Sequence, residues 1–239
     1  VSPKLLSLVA LLTIAPLQSQ TILRVNLGPS GLAEEAGFTA WTTPERTTPA
    51  ATTIDGIGLS LVGSFNDGTN DEVRSINRAS SYSGSLGNLT QTWWGTRTGG
   101  GVSGGFLTIA IDGEDLGAGT FEWTSWHHDQ GNQTGEMDIE VSVDAGVTWS
   151  LTAANFGIVD FDSDANSGAP NPATFSFTAN GTDDVQVRFT NVSGGGTASD
   201  FALVNGFRIS PMAPRSVIYV DADNSAGTGN TILDGAGSF

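Results

Sequence analysis

The chain has 239 residues, of which 9 are basic and 25 acidic, for a formal net charge of -16. A surface that negative repels phosphate backbones and anionic membranes, so nucleic-acid binding is set aside and no membrane insertion is expected. Abundant glycine, 14% charged residues and no cysteine describe many short strands joined by tight turns and held by burial rather than by disulfides.

Residues 1–19 read as a signal peptide. Lys4 is the positive start, Leu5 to Leu17 the apolar stretch, and Gln18-Ser19-Gln20 the polar exit. The apolar stretch, about 13 residues, is shorter than the roughly 20 needed to span a bilayer. Export to the cell surface or the medium follows, and a cysteine-free exported chain leans towards a bacterial source.

Period-two alternation then recurs along the chain. Leu23, Val25 and Leu27 share one face, as do Ile57, Leu59 and Leu61, and then Leu107, Ile109 and Ile111. Phe121 and Trp123 continue the pattern. The clearest run sets Met137, Ile139, Val141 and Val143 against Glu136, Asp138, Glu140 and Ser142. Later runs use Phe175 and Phe177, then Val185, Val187 and Phe189, then Phe201, Leu203, Phe207 and Ile209. Strands with one apolar and one polar face form antiparallel sheets wetted on one side, and two such sheets close over each other. The expected fold is an all-β antiparallel sandwich over residues 20–210. Gly31 to Gly37 is the one stretch expected to make a helical turn.

Three long connections stand out, 38–53, 66–103 and 155–172, and loops on a rigid scaffold are where binding residues gather. Residues 211–216 (around Pro211 and Pro214) read as a linker. Val217 to Val220 reads as a new strand, and 217–239 as the start of a second domain cut short, since so few residues bury no core of their own. An edge strand added to the sandwich is the alternative.

Several segments in order resemble the galactose-binding-like jelly rolls, in particular malectin-like and related carbohydrate-binding modules of exported bacterial proteins. They are Ile22 to Pro29, Asn77-Arg78 with Tyr82 and Trp93-Trp94, Phe106 to Ile111, Leu116 to Phe121, His127-His128, and Phe201 to Ile209. The resemblance implies a jelly-roll sandwich and, often, a sugar ligand. It does not imply catalysis, because sites are grafted onto folds.

Candidate sites have bland readings beside the sharp ones. Ser142-Val143-Asp144-Ala145-Gly146-Val147-Thr148-Trp149 matches the Asp-box pattern, which reads as a structural hairpin with Trp149 packed back under the turn. In Trp126-His127-His128-Asp129, alternation puts His127 inward and Trp126 and His128 outward. The cluster is either a rim site, with a sugar on Trp126 or a metal on His128 and Asp129, or a strand end with His127 hydrogen-bonded in place. Trp93 and Trp94 offer one ring to the core and the other as a sugar platform, near Asn77, Arg78, Tyr82 and Arg97. Asp160, Asp162 and Asp164 alternate before Gly168 and can supply oxygens to calcium, although Pro172 stands where an EF-hand would need its glutamate. A solvated turn is the alternative.

Enzyme constellations are weak. There is no cysteine, the two histidines are adjacent, neither G-x-S-x-G nor H-E-x-x-H occurs, and no spacing singles out a carboxylate pair. The expected function is therefore an exported, non-catalytic carbohydrate-binding accessory module with a polysaccharide or glycan partner. The rivals are a structural or adhesive module, stabilised by calcium, and a hydrolase using His128.

Overall fold

The structure is a computed structural model, and it describes residues 22–45, 47–65, 71–77, 86–97, 105–129, 135–160, 171–192, 201–212, 217–220 and 231–234. In chain order the strands are β1 (Leu23–Pro29), β2 (Thr39–Thr43), β3 (Thr52–Ile54), β4 (Ile57–Ser64), β5 (Arg74–Asn77), β6 (Thr92–Thr96) and β7 (Phe106–Ile111). A one-turn helix, α1 (Gly113–Leu116), precedes β8 (Ala118–Asp129), β9 (Glu136–Ser142), β10 (Ser150–Gly157) and β11 (Val159–Asp160). Then come β12 (Asn171–Asn180), β13 (Val185–Asn191), β14 (Ala202–Val204), β15 (Gly206–Pro211), β16 (Val217–Val220) and β17 (Thr231–Asp234).

Two six-stranded sheets make the sandwich. The first runs β11-β8-β15-β1-β2 with β12 also paired to β8, and the second runs β10-β9-β13-β7-β4-β3. Pairing is antiparallel except for β1 with β2 and β8 with β11. The first and last strands of the sandwich, β1 and β15, lie side by side, and distant segments interleave within each sheet. This is the antiparallel sandwich that alternation called for, with the jelly-roll interleaving that the resemblance implied.

The inward rows are those named from the sequence. Val25, Trp123, Phe207 and Ile209 face Ile109, Met137, Ile139, Val187 and Phe189, all fully buried. Trp123 stacks on Phe207 with ring centroids 4.5 Å apart, and it meets Phe189 of the opposite sheet at 6.4 Å. Each such side chain contributes about 1.5–3 kcal/mol on burial, so this interior supplies most of the stabilisation of a chain without disulfides.

The structure differs from expectation in two places. The connections 38–53 and 66–103 are not merely loops. Those two contain β2, β3, β5 and β6, with β5 and β6 joining β14 in a third, three-stranded sheet, and the connection 155–172 holds β11. Both neighbouring tryptophans of β6 are buried, so β6 has two covered faces and lacks the alternation that marks a half-wet strand. The helical turn lies at Gly113–Leu116, with the Asp112 carboxylate accepting from the amides of Glu114 and Asp115 as its N-cap. Gly31 to Gly37 forms turns and bends instead, because its glycines take φ of +90° and +79°. Strands β16 and β17 pair as a two-stranded hairpin of their own.

Candidate functional site

The residues singled out as a sugar platform lie inside the protein. Trp93, Trp94, Trp126, His128 and Asp129 are at most 7% exposed. A ring without an exposed face cannot stack on a sugar in solution, so the platform expected on Trp93-Trp94 or Trp126 is corrected: both β6 tryptophans are core. Trp94 packs edge-on against Trp41 at 4.9 Å, and Trp93 lies 5.3 Å from Phe201. The Trp93 indole N–H donates to Asp129 Oδ1 at 2.7 Å, and that carboxylate is fully buried rather than at a rim. Asn77 is exposed at the end of β5, opposite Thr92. Arg78 and Tyr82 lie outside the described residues.

Strand β8 does alternate at the histidines, and it continues through Asp129. His127 points into the sandwich between Phe156 and Phe189. Its Nδ1 lies 2.6 Å from the Leu203 carbonyl and its Nε2 2.9 Å from the Ser125 hydroxyl. Burial pulls its pKa down from 6.5 to about 4, against the pull of the Leu203 bond, so the ring is neutral near pH 7. Trp126 and His128 sit on the outer side of β8, yet they are covered there. Phe38 packs on Trp126 at 5.6 Å, and the 3₁₀ turn Leu89–Gln91, with Leu89 and Thr90 buried, contacts β8. Burial also lowers the pKa of His128, opposed by the Thr90 carbonyl and the Asp129 carboxylate.

Sequence reasoning did not single out the residue that ties this region together. Asn205, fully buried, donates from Nδ2 to the carbonyls of Thr92 (2.7 Å) and His128 (2.9 Å), and its Oδ1 accepts from the His128 amide at 2.7 Å. One side chain thus satisfies backbone groups of β6 and β8. Nearby, Thr92 donates to the Leu27 carbonyl at 2.6 Å and accepts from Asn26 Nδ2 at 3.1 Å. Gly28 lies under Thr92 so closely that a Cβ would overlap it.

Of the alternating aspartates, Asp160 pairs in parallel with Asp129 through the backbone of β11, while Asp162 and Asp164 lie outside the described residues. Among the described residues, no group of three or more His, Asp or Glu side chains could hold a metal ion, and no helix is long and apolar enough to cross a membrane.

The outward face of the second sheet carries a different arrangement. Register sets Ser60, Ala110, Gln186 and Ser142 side by side across β4, β7, β13 and β9. Two residues along each strand, roughly 6.6 Å away, stand Val62, Thr108, Arg188, Glu140 and Leu151. The small side chains Gly58, Ser60 and Ala110 leave a groove of about 340 Å³, walled by Thr52, Thr53, Asp112 and Asp184. Next to it, the Arg188 guanidinium lies 3.9 Å over the Trp149 ring and 5.7 Å from Phe106. It is also held by Glu140 Oε2 at 2.8 and 2.9 Å. Val62 and Leu151, at the two ends of that row, are 44% and 57% exposed.

The Ser142–Trp149 turn delivers Trp149 to this ridge. Ser142 Oγ donates to Asp144 Oδ1 at 2.6 Å, and Asp144 accepts from the Thr148 amide at 2.9 Å and from the Thr148 hydroxyl at 2.5 Å. Those bonds, the Ser142 hydroxyl first, pull the Asp144 pKa down to about 2. Gly146 takes φ of +87° at the turn, and Trp149 Nε1 donates back to its carbonyl at 3.1 Å.

No protein-family model and no curated protein matches the chain. Similar solved structures include a family 35 carbohydrate-binding module from Clostridium thermocellum, at 12% identity over 67% of this chain and 95% of that one, with a TM-score of 0.34. The CBM22-1 xylan-binding domain from Paenibacillus barcinonensis is 10% identical over 81% of this chain and 95% of its own, with a TM-score of 0.38. A Ruminococcus gnavus GH29 fucosidase in complex with fucose is 13% identical over 67% of this chain, which spans 26% of the fucosidase, with a TM-score of 0.37. TM-scores of 0.34 to 0.38 decide neither ligand nor role.

Proposed function

We propose that the chain is an exported, non-catalytic glycan-binding module, accessory to a larger protein, whose ligand lies along the outward face of the second sheet. The observation that carries this reading is the groove over Gly58, Ser60 and Ala110 lying beside the Arg188–Trp149 stack. Sugars present C–H faces that pack on aromatic rings and hydroxyls that need fixed acceptors and donors, and this face offers both. Trp149 is half-buried, so part of its ring is open to a ligand. Its position is held by the turn hydrogen bonds and by Arg188, which lowers the ordering cost of binding. The groove lies at the low end of the volume range of ligand sites.

Two further features support the rest of the reading. Both histidines are inside, with His127 at about 4 and neutral, so neither is placed to activate a nucleophile or water on an accessible surface. The apolar segment from Leu5 to Leu17 is the basis for export.

The test is affinity electrophoresis of the chain in gels containing soluble polysaccharides, with Trp149→Ala alongside. Retardation by at least one glycan, with affinity falling roughly tenfold in the variant, is the expected result. A variant that binds as tightly as the parent would remove Trp149 and its ridge from the reading. Failure to bind any glycan would favour a structural or adhesive module instead.

A further inference from the structure

We propose that this groove selects neutral glycan chains and rejects polyuronates, an assignment that rests on the glycan-binding reading above. The evidence is the sign and commitment of the charges on the face. The six strands of the second sheet carry one basic residue, Arg188. Its guanidinium is already paired with Glu140 at 2.8 Å and stacked on Trp149 at 3.9 Å. A guanidinium engaged in this way has its charge matched and one of its faces covered, so it offers a sugar carboxylate little net attraction.

The groove itself has the opposite sign. Asp112 and Asp184 wall it. Asp115 stands at the same end, accepting the Gly58 amide through Oδ2 at 2.9 Å. The wall carboxylates are held by the backbone: Asp112 Oδ1 accepts from the amides of Glu114 and Asp115, and Asp184 Oδ1 accepts from Gly113 at 3.3 Å. Gly113 tolerates no side chain there, because a Cβ would overlap the Asp183 carbonyl. Acceptors fixed in this way meet sugar hydroxyls, which donate, without reorganisation. A uronate keeps its ring hydroxyls but adds a carboxylate, which cannot donate and is repelled, and the net charge of -16 adds to the repulsion at long range.

The experiment measures retardation of the 239-residue chain by neutral polysaccharides (a mixed-linkage β-glucan, a xylan, a galactomannan) and by two polyuronates (polygalacturonate and alginate). At least one neutral chain should bind, with every polyuronate at least about tenfold weaker. Asp184→Asn keeps the acceptor for Gly113 and removes a charge, so it should narrow that gap severalfold. Ser60→Trp, or Thr53→Trp at the rim if the first variant melts early, should abolish retention by filling the groove. A polyuronate bound as tightly as the best neutral chain overturns the selectivity while leaving glycan binding intact. Retention unchanged in a folded groove-filling variant overturns the groove as its seat. No retention by any polysaccharide overturns the glycan-binding reading and this inference with it.

Discussion

Two regions of this molecule hold most of its polar chemistry, and they use it in opposite ways. At the junction of β6, β8 and the segment joining β14 to β15, two histidines, Asn205, Asp129 and Trp93 are buried and bonded to one another or to backbone. On the outward face of the second sheet, Arg188, Glu140 and Trp149 make similar contacts while a quarter or less of the Arg188 and Glu140 side chains is exposed. The first region pairs polar groups because an unpaired one in the interior is costly. The second holds its groups in place where a ligand can reach them. Residue types associated with active sites are therefore poor guides here, and exposure separates glue from site.

The largest effect belongs to the interior. Asn205→Ala leaves the His128 amide and the carbonyls of His128 and Thr92 buried without that partner, and should lower unfolding stability by about 3–5 kcal/mol. Urea denaturation followed by tryptophan fluorescence measures it. A loss below about 1 kcal/mol would mean that the junction is hydrated and that the contrast between the two regions fails.

The next effect is a pH dependence. The pKa of His127 is lowered from 6.5 to about 4 in the folded chain, so the unfolded state binds the proton more readily. The associated stability is fully present above pH 6.5 and is lost as the pH falls from there towards 4, with a ceiling of about 3 kcal/mol. Asp144, whose pKa falls from 3.8 to about 2, also loses its contribution as pH falls, but in a separate window below the first. Denaturation midpoints at pH 7, 5.5 and 4.5 should drop progressively, and His127→Gln should flatten that slope. An equal slope in the variant would assign the loss to other groups.

How much of this was legible beforehand differs between the same two regions. The core rows from Met137 to Val141 and from Val185 to Phe189 are plain in the sequence, because a strand with one dry face must alternate. The junction is harder to read. In β6, Thr92 to Thr96 are all buried, as are Trp123 to Asp129 of β8, and a strand covered on both faces has no period to detect. The usable signal was the run of uncharged residues ending at Asp129. The surface groove was not visible at all. Ser60, Ala110 and Gln186 meet only through the register of three strands far apart in the chain, and small residues carry no chemical signature on their own. The turn at Ser142–Trp149 was visible, but the Arg188 that Trp149 stacks on comes from another strand.

A matched pair of substitutions sharpens the comparison. Trp93→Phe removes the indole donor to Asp129, a bond inside the protein at 2.7 Å, and should cost about 2–3 kcal/mol, because a bond to a buried carboxylate is lost and the smaller ring leaves part of a buried site unfilled.

Glu140→Gln is its counterpart on the surface and should have the smallest effect. It removes the charge facing Arg188, with the two side chains 25% and 21% exposed on the arginine and glutamate sides. Water replaces part of what is lost, and the guanidinium keeps its seat on Trp149, so the expected cost is about 0.5–1 kcal/mol. The same variant makes Arg188 a free cation beside the groove, so binding should change where stability does not. Retention on a polyuronate should rise relative to a neutral glycan, while the urea midpoint moves little. If Glu140→Gln instead destabilises the fold as much as Trp93→Phe, the ridge is part of the core, and the distinction between a glued interior and a displayed face is lost.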